Sequence, residues 1–295
     1  MFSFSLLKGI SFDKLPGNLR SILDTKPSIA NSNQALRELF SFMDFTSLDG
    51  SDNQAKIKKL CEKAVSFGEQ GLPYPAAICI YPPFIATAKQ ALKGTPIKVA
   101  TTAAAFPSGQ MALSVKLEEI RYALGEGADE IDVVISRGTF LAKEFHIVYR
   151  ELDAMRELVG KQTLKVILET GELGSLENIA RASEIAIEAG ADFIKTSTGK
   201  VAPAATAPVV YVMLEAVRDY YKMTGTRIGV KPAGGIRNTK DAIKQLVLVN
   251  EIAGPEWLDP ALFRIGASAL LNDLLMQRMK MRDGYYASPN YVTLD

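Results

Sequence analysis

Histidine and cysteine are almost missing from this chain. His146 is the only imidazole in 295 residues, and Cys61 and Cys79 are the only thiols. One histidine cannot assemble a His-rich zinc site or an HExxH helix. A histidine-ligated metal is therefore not expected, and neither is any other cofactor. A Ser-His-Asp triad would have to use His146. That residue lies in the segment 142–159, where Phe145, Val148, Tyr149, Leu152, Met155 and Leu158 mark the apolar stripe of a helix. His146 falls beside the stripe, toward solvent. The two cysteines stand eighteen positions apart, in neither a CxxC pair nor a disulfide framework.

Charge excess is missing as well. The formal net charge is +1, whereas a nucleic-acid binder should show a basic surplus. No apolar run approaches the ~18 residues of a membrane span. The opening Met1–Lys8 lacks a basic n-region and a cleavage site, and Asp13 and Asp24 disfavour a transit peptide. These absences point to a cytoplasmic protein with neither nucleic acid nor membrane as partner. No G-x-G-x-x-G follows the first strand-like run and no Walker A sequence occurs, which weakens a dinucleotide or nucleotide fold.

What the chain does contain is a repeated alternation. Strand-like runs occur at Phe42–Leu48, Ala76–Tyr81, Lys98–Ala104, Glu130–Ile135, Lys165–Thr170, Phe193–Thr198, Ile228–Ala233 and Phe263–Ser268. Segments with helical apolar spacing separate them, such as Leu117, Ile120 and Leu124, or Ile179, Ala182, Ile185 and Ala186. Strand and helix in alternation imply a parallel sheet. Eight units favour a closed α/β (β/α)8 TIM barrel over an open doubly wound sheet. The predicted organisation is an N-terminal extension over 1–38, the barrel over 39–282 and a C-terminal tail over 283–295. The extension reads as a loosely packed lead-in, followed by a short helix around Gln34–Phe40 placed to close the barrel floor.

Two of the predicted strands end in lysine. Lys195 closes Ala191-Asp192-Phe193-Ile194, and thirty-six positions later Lys231 closes Gly229-Val230. A lysine at a strand end ordinarily carries its ammonium to water. Two lysines held among apolar walls behave differently, because burial and a neighbouring cation both disfavour the ammonium. The product is a neutral amine, the nucleophile of Schiff-base chemistry. In such barrels the strand ends carry the active site. The polar residues there are Asp44, Thr46, Asp132, Glu169, Thr170, Lys195 and Lys231. Asp132 is flanked by β-branched residues, which aims its carboxylate inward.

Three glycine-bearing loops follow strands six, seven and eight: Gly199-Lys200, Gly234-Gly235-Ile236-Arg237 and Gly266-Ala267-Ser268. Glycine lets the backbone approach a ligand, Lys200 and Arg237 add positive charge, and Ser268 adds a hydroxyl. Loops after strands seven and eight are where barrels often hold phosphate.

With these stretches in view, the chain resembles the deoxyribose-phosphate aldolases. The resemblance runs from about Met43 to Arg282. It includes Met43-Asp44-Phe45-Thr46, Ala77-Ile78-Cys79-Ile80-Tyr81-Pro82, Glu130 to Ile135, Lys165 to Leu173, Asp192 to Lys200, Val230 to Arg237 and Arg264 to Ser268. It implies a metal-free class I aldolase that cleaves 2-deoxy-D-ribose 5-phosphate to acetaldehyde and D-glyceraldehyde 3-phosphate. Lys195 would form the imine, Lys231 would be its partner lysine, and Asp132 with a water would be the acid/base. Gly199, Lys200, Gly234, Gly235, Arg237, Gly266 and Ser268 would bind the phosphate. A homo-oligomer, a dimer first, is also implied. Two departures stand out. Ala269 occupies a place where some members carry a second serine, and Tyr285, Tyr286 and Tyr291 compete for the role of a C-terminal tyrosine reaching the site. Another Schiff-base barrel aldolase and a non-catalytic sugar-phosphate binder remain the alternatives.

Overall fold

The computed structural model describes residues 14–24 and 33–283. Eight parallel strands, each followed by helical chain, form the centre. They are β1 (Met43–Thr46), β2 (Ala77–Ile80), β3 (Lys98–Ala103), β4 (Glu130–Val134), β5 (Thr163–Ile167), β6 (Phe193–Lys195), β7 (Gly229–Lys231) and β8 (Ile265–Ala267). The ladder runs β7-β6-β5-β4-β3-β2-β1-β8. The last seam is closed by parallel bridges Val230–Phe263 and Ala233–Gly266, which turns the sheet into the predicted (β/α)8 barrel. Among the described residues no helix is long and apolar enough to cross a membrane.

Alternation along each strand separates two environments. Ile131 and Val133 of β4, Leu164 and Val166 of β5, Ile194 of β6 and Val230 of β7 join the apolar layer under the helices. Their neighbours Glu130, Asp132, Lys165, Lys195 and Lys231 point into the barrel, where each is buried. Strands β4 to β7 thus carry their charged residues on the inward face. Space inside is tight: a Cβ on Gly229 would stand 2.3 Å from the Phe193 ring.

Two expectations need correction. The regular strand five ends at Ile167, short of Thr170, as Glu169 turns into the left-handed region at φ 54°. Residues 1–38 are not merely a lead-in. They contain the helix Leu15–Asp24, whose Leu15 and Leu19 are buried against the helices Ala207–Thr224 and Thr239–Leu248. The next helix, Asn33–Ser41, packs against Thr239–Leu248 and Leu270–Asp283, with Phe40 edge-on to Phe67 at 5.5 Å. It leads directly into β1. His146 is exposed at the start of the helix Phe145–Val159.

Candidate active site

The inward side chains of six strands or strand flanks meet in one buried network. Lys195 Nζ and Lys231 Nζ each lie 2.7 Å from Asp132 Oδ2. Lys231 Nζ also reaches Asp44 Oδ2 at 2.5 Å. Lys165 pairs with Glu130, with Asp132 Oδ1 at 3.1 Å and with Asp44 Oδ2 at 3.4 Å. Arg264 completes the floor, with Asp44 Oδ1 at 2.7 Å and Glu130 Oε1 at 2.9 Å. Asp132 and Lys231 are fully buried, and Lys195 is 3 % exposed.

Counting charges shows how this cluster is tuned. Three carboxylates face four basic side chains, so the network is neutral when one base is uncharged. Unbalanced charge in a low-dielectric interior is costly. Lys195 is the base whose charge is disfavoured: burial pushes its amine below the ordinary lysine range, Asp132 opposes that, and the Lys231 ammonium adds to it. Lys231 and Lys165 shift the other way. Burial disfavours their charge, but the carboxylates around each outweigh it and hold both ammonium groups above their usual range. Burial alone would raise the Asp132 carboxyl, yet Lys165, Lys195 and Lys231 hold it well below the usual carboxylate range. The arrangement is an amine whose charge is disfavoured, beside a carboxylate and a cation whose charges are favoured, at the base of an opening.

That opening is a pocket of about 670 Å³. Lys195 forms part of its wall. So do all seven residues expected to bind phosphate: Gly199, Lys200, Gly234, Gly235, Arg237, Gly266 and Ser268. Asp132 and Lys231 do not line it, since they lie in the interior beneath Lys195. The rim loops are tied to one another. Thr196 and Ser197 hydroxyls donate to the Ala233 carbonyl at 2.8 and 2.7 Å, and Lys200 Nζ donates to the Leu48 carbonyl at 2.6 Å. Gly234 has φ 82°, and a Cβ there would meet Ala204 Cβ at 2.7 Å and Ser197 Oγ at 2.8 Å. The close approach and the dihedral together require glycine.

Two strand-end candidates sit elsewhere. Glu169 accepts from Thr198 Oγ1 at 2.5 Å and pairs with Arg137 at 3.2 Å, so it props the loop after β6 from behind. Burial raises its carboxyl despite these partners. Thr170 contacts the Ala204 carbonyl at 3.4 Å and likewise lies outside the pocket.

A model of one protein family, described as DeoC/LacD family aldolase, matches residues 39–275. The chain belongs to that family. The human deoxyribose-phosphate aldolase is 47% identical over 266 residues, which cover 86% of this chain and 83% of that protein. The mouse deoxyribose-phosphate aldolase is 46% identical over the same shares. Among solved structures, the deoxyribose phosphate aldolase from Aeropyrum pernix, described as a unique tetramer, superposes with a TM-score of 0.67. It is 25% identical and matches 91% of this chain and 99% of its own.

For this family member, sequence reasoning missed part of the site. Glu130, Lys165 and Arg264 complete the charge balance, although each stood only as a strand or motif residue. Lys56, Lys59 and Lys63 of the helix Gln54–Glu69 line the outer pocket. Their spacing puts them on one helical face, a signal that was available in the sequence. Tyr285, Tyr286 and Tyr291 lie outside the described residues.

Proposed function

We propose that this chain is a class I aldolase that reversibly cleaves 2-deoxy-D-ribose 5-phosphate to D-glyceraldehyde 3-phosphate and acetaldehyde in deoxyribonucleoside catabolism. The observation that carries the reading is the buried Lys195 amine at the pocket base, 2.7 Å from Asp132, with its pKa pushed below the ordinary lysine range by burial. Lys195 attacks the C1 aldehyde of the open-chain sugar, and loss of water leaves a protonated imine. Asp132, through a water, takes the proton of the C3 hydroxyl while the C2–C3 electron pair moves into the iminium. The C3 oxygen becomes the carbonyl of glyceraldehyde 3-phosphate. The remaining enamine is protonated at C2 and hydrolysed to acetaldehyde and free Lys195. The iminium is itself the electron sink, so the chemistry calls for no added cofactor. Lys231 keeps the Lys195 amine neutral and fixes Asp132 as a carboxylate.

The phosphate rests on the loops at Gly199–Lys200, Gly234–Arg237 and Gly266–Ser268, where it orients the reacting carbons from a distance. The extension 1–38, barrel 39–282 and tail 283–295 are the working division of the chain. A cytoplasmic homodimer is the proposed form.

Borohydride reduction in the presence of acetaldehyde tests the imine. Intact mass should show one adduct, mapped to Lys195. Lys195→Arg should form none and should lose turnover by roughly 10⁴-fold or more, as expected when a covalent nucleophile is removed. An adduct on another lysine, or one that persists in the variant, would reject the assignment.

A further inference from the structure

Strand β3 carries a polar group that the mechanism above does not use. Thr102 is 1 % exposed, and its Oγ1 has no hydrogen-bond partner among the described residues. A buried hydroxyl left unpaired costs about 1–3 kcal/mol. Such groups are uncommon in folded proteins and call for a specific explanation, a catalytic role among them.

The strand sets the direction of this side chain. Val99 and Ala103 face the outer apolar layer, and Thr101 Oγ1 donates to the Ile80 carbonyl at 2.9 Å. Ala100 belongs instead to a small inner cluster with Leu48, Ala77 and Cys79. Thr102 follows two residues later and shares the face of Ala100. Parallel register then sets Thr102 directly beside Asp132, on strands about 4.8 Å apart. The next residues are shaped to hold a wall here. Ala104 and Ala105 both adopt left-handed backbone, at φ 62° and 59°, which costs an L-residue about 1–2 kcal/mol. Glu119 secures the bend by accepting the Ala105 N–H at 2.8 Å. Phe106 thereby lies edge-on to Tyr81 at 6.0 Å, and both rings pack on the inner cluster. Thr102 thus stands on the inward face of β3, one strand over from Asp132, with its hydroxyl unpartnered.

We propose that Thr102 is a catalytic residue of the carbon–carbon step, its hydroxyl donating a hydrogen bond to the substrate oxygen on which Asp132 acts. The proposal rests on the Lys195 imine reading. As the C3 hydroxyl gives its proton toward Asp132, its oxygen carries growing negative charge until the C2–C3 bond breaks and the carbonyl forms. A hydroxyl aimed at that oxygen stabilises the charge at the moment it develops. In the synthetic direction the same hydrogen bond polarises the acceptor aldehyde.

The test separates this step from imine formation. Exchange of acetaldehyde methyl hydrogens with D₂O needs the imine and enamine at Lys195 but no acceptor oxygen. Thr102→Val keeps the shape and removes the hydroxyl. Its kcat for cleavage should fall about tenfold or more, the scale of a lost proton-handling contact, while methyl exchange and the borohydride adduct stay at wild-type rates. Thr102→Ser should keep most of the cleavage activity, and Thr102→Ala should repeat the selective loss if the valine variant folds poorly. Unchanged cleavage in Thr102→Val overturns the proposal. So does loss of exchange in step with cleavage, or a serine variant as slow as the valine one. A wild-type enzyme with neither exchange nor adduct would reject the imine reading itself, a different outcome.

Discussion

The interior of the barrel and its rim bind charge by different means. Inside, Asp44, Glu130, Asp132, Lys165, Lys231 and Arg264 hold one another through short ion pairs with almost no access to water. At the rim, glycine-bearing loops form the wall, and Arg237 and Ser268 stand exposed. A charge in the interior cannot be removed without unbalancing its neighbours, because nothing there screens it. A charge at the rim is exchanged readily with water and salt. Reactivity therefore resides where the field is fixed, and substrate selection where the backbone is accessible. The consequence is that substitutions in the two regions should fail in different ways.

Lys165→Met should produce the largest failure. It leaves Asp44, Glu130 and Asp132 with too little positive charge, and breaking a buried network of this kind costs about 3–5 kcal/mol. Thermal or denaturant unfolding should show the loss even without substrate. A variant of wild-type stability would mean that the interior carries its charges more loosely than its distances imply.

Lys231→Leu should act more on reactivity. Removing this cation takes away one cause of the lowered Lys195 amine and frees Asp132 to favour the ammonium. Both effects raise the amine pKa. The rate needs the neutral amine, so its rising alkaline limb should move to higher pH by about one unit or more. A pH–rate profile lowered in height but unshifted would instead assign Lys231 to proton transfer or positioning.

The rim should give the mildest effects. Ser268→Asp places negative charge against the phosphate, and Arg237→Ala removes a positive one. Each should raise KM for the phosphorylated sugar by roughly tenfold, the scale of a lost charge-assisted contact. Activity on unphosphorylated deoxyribose should fall much less, and unfolding should be unaffected. Equal loss on both sugars would erase the distinction between rim and interior.

Much of this was legible before any coordinates. The eight apolar runs and the helical segments between them determined the barrel, because a two-residue and a 3.6-residue period leave distinct marks. Lys195, Lys231 and Asp132 were marked by polar side chains where strands should be apolar, and the pocket-lining loops by glycines just beyond strand ends. Strand ends were read less well. At Glu169 the sequence continues smoothly, and only a left-handed dihedral reveals that the strand has stopped.

The tertiary structure alone sets the proposed nucleophile apart from the other lysines on physical grounds. Lys165, Lys195 and Lys231 are all inward-facing lysines on barrel strands, and nothing local distinguishes their amines. Closing the barrel gives Lys165 and Lys231 several carboxylates each and leaves Lys195 with Asp132 alone. Protonation is a property of the whole network, drawn from residues as distant in sequence as Asp44 and Arg264. Periodicity reports which face a side chain occupies, but the balance of charge across the barrel exists only once all eight strands are in place.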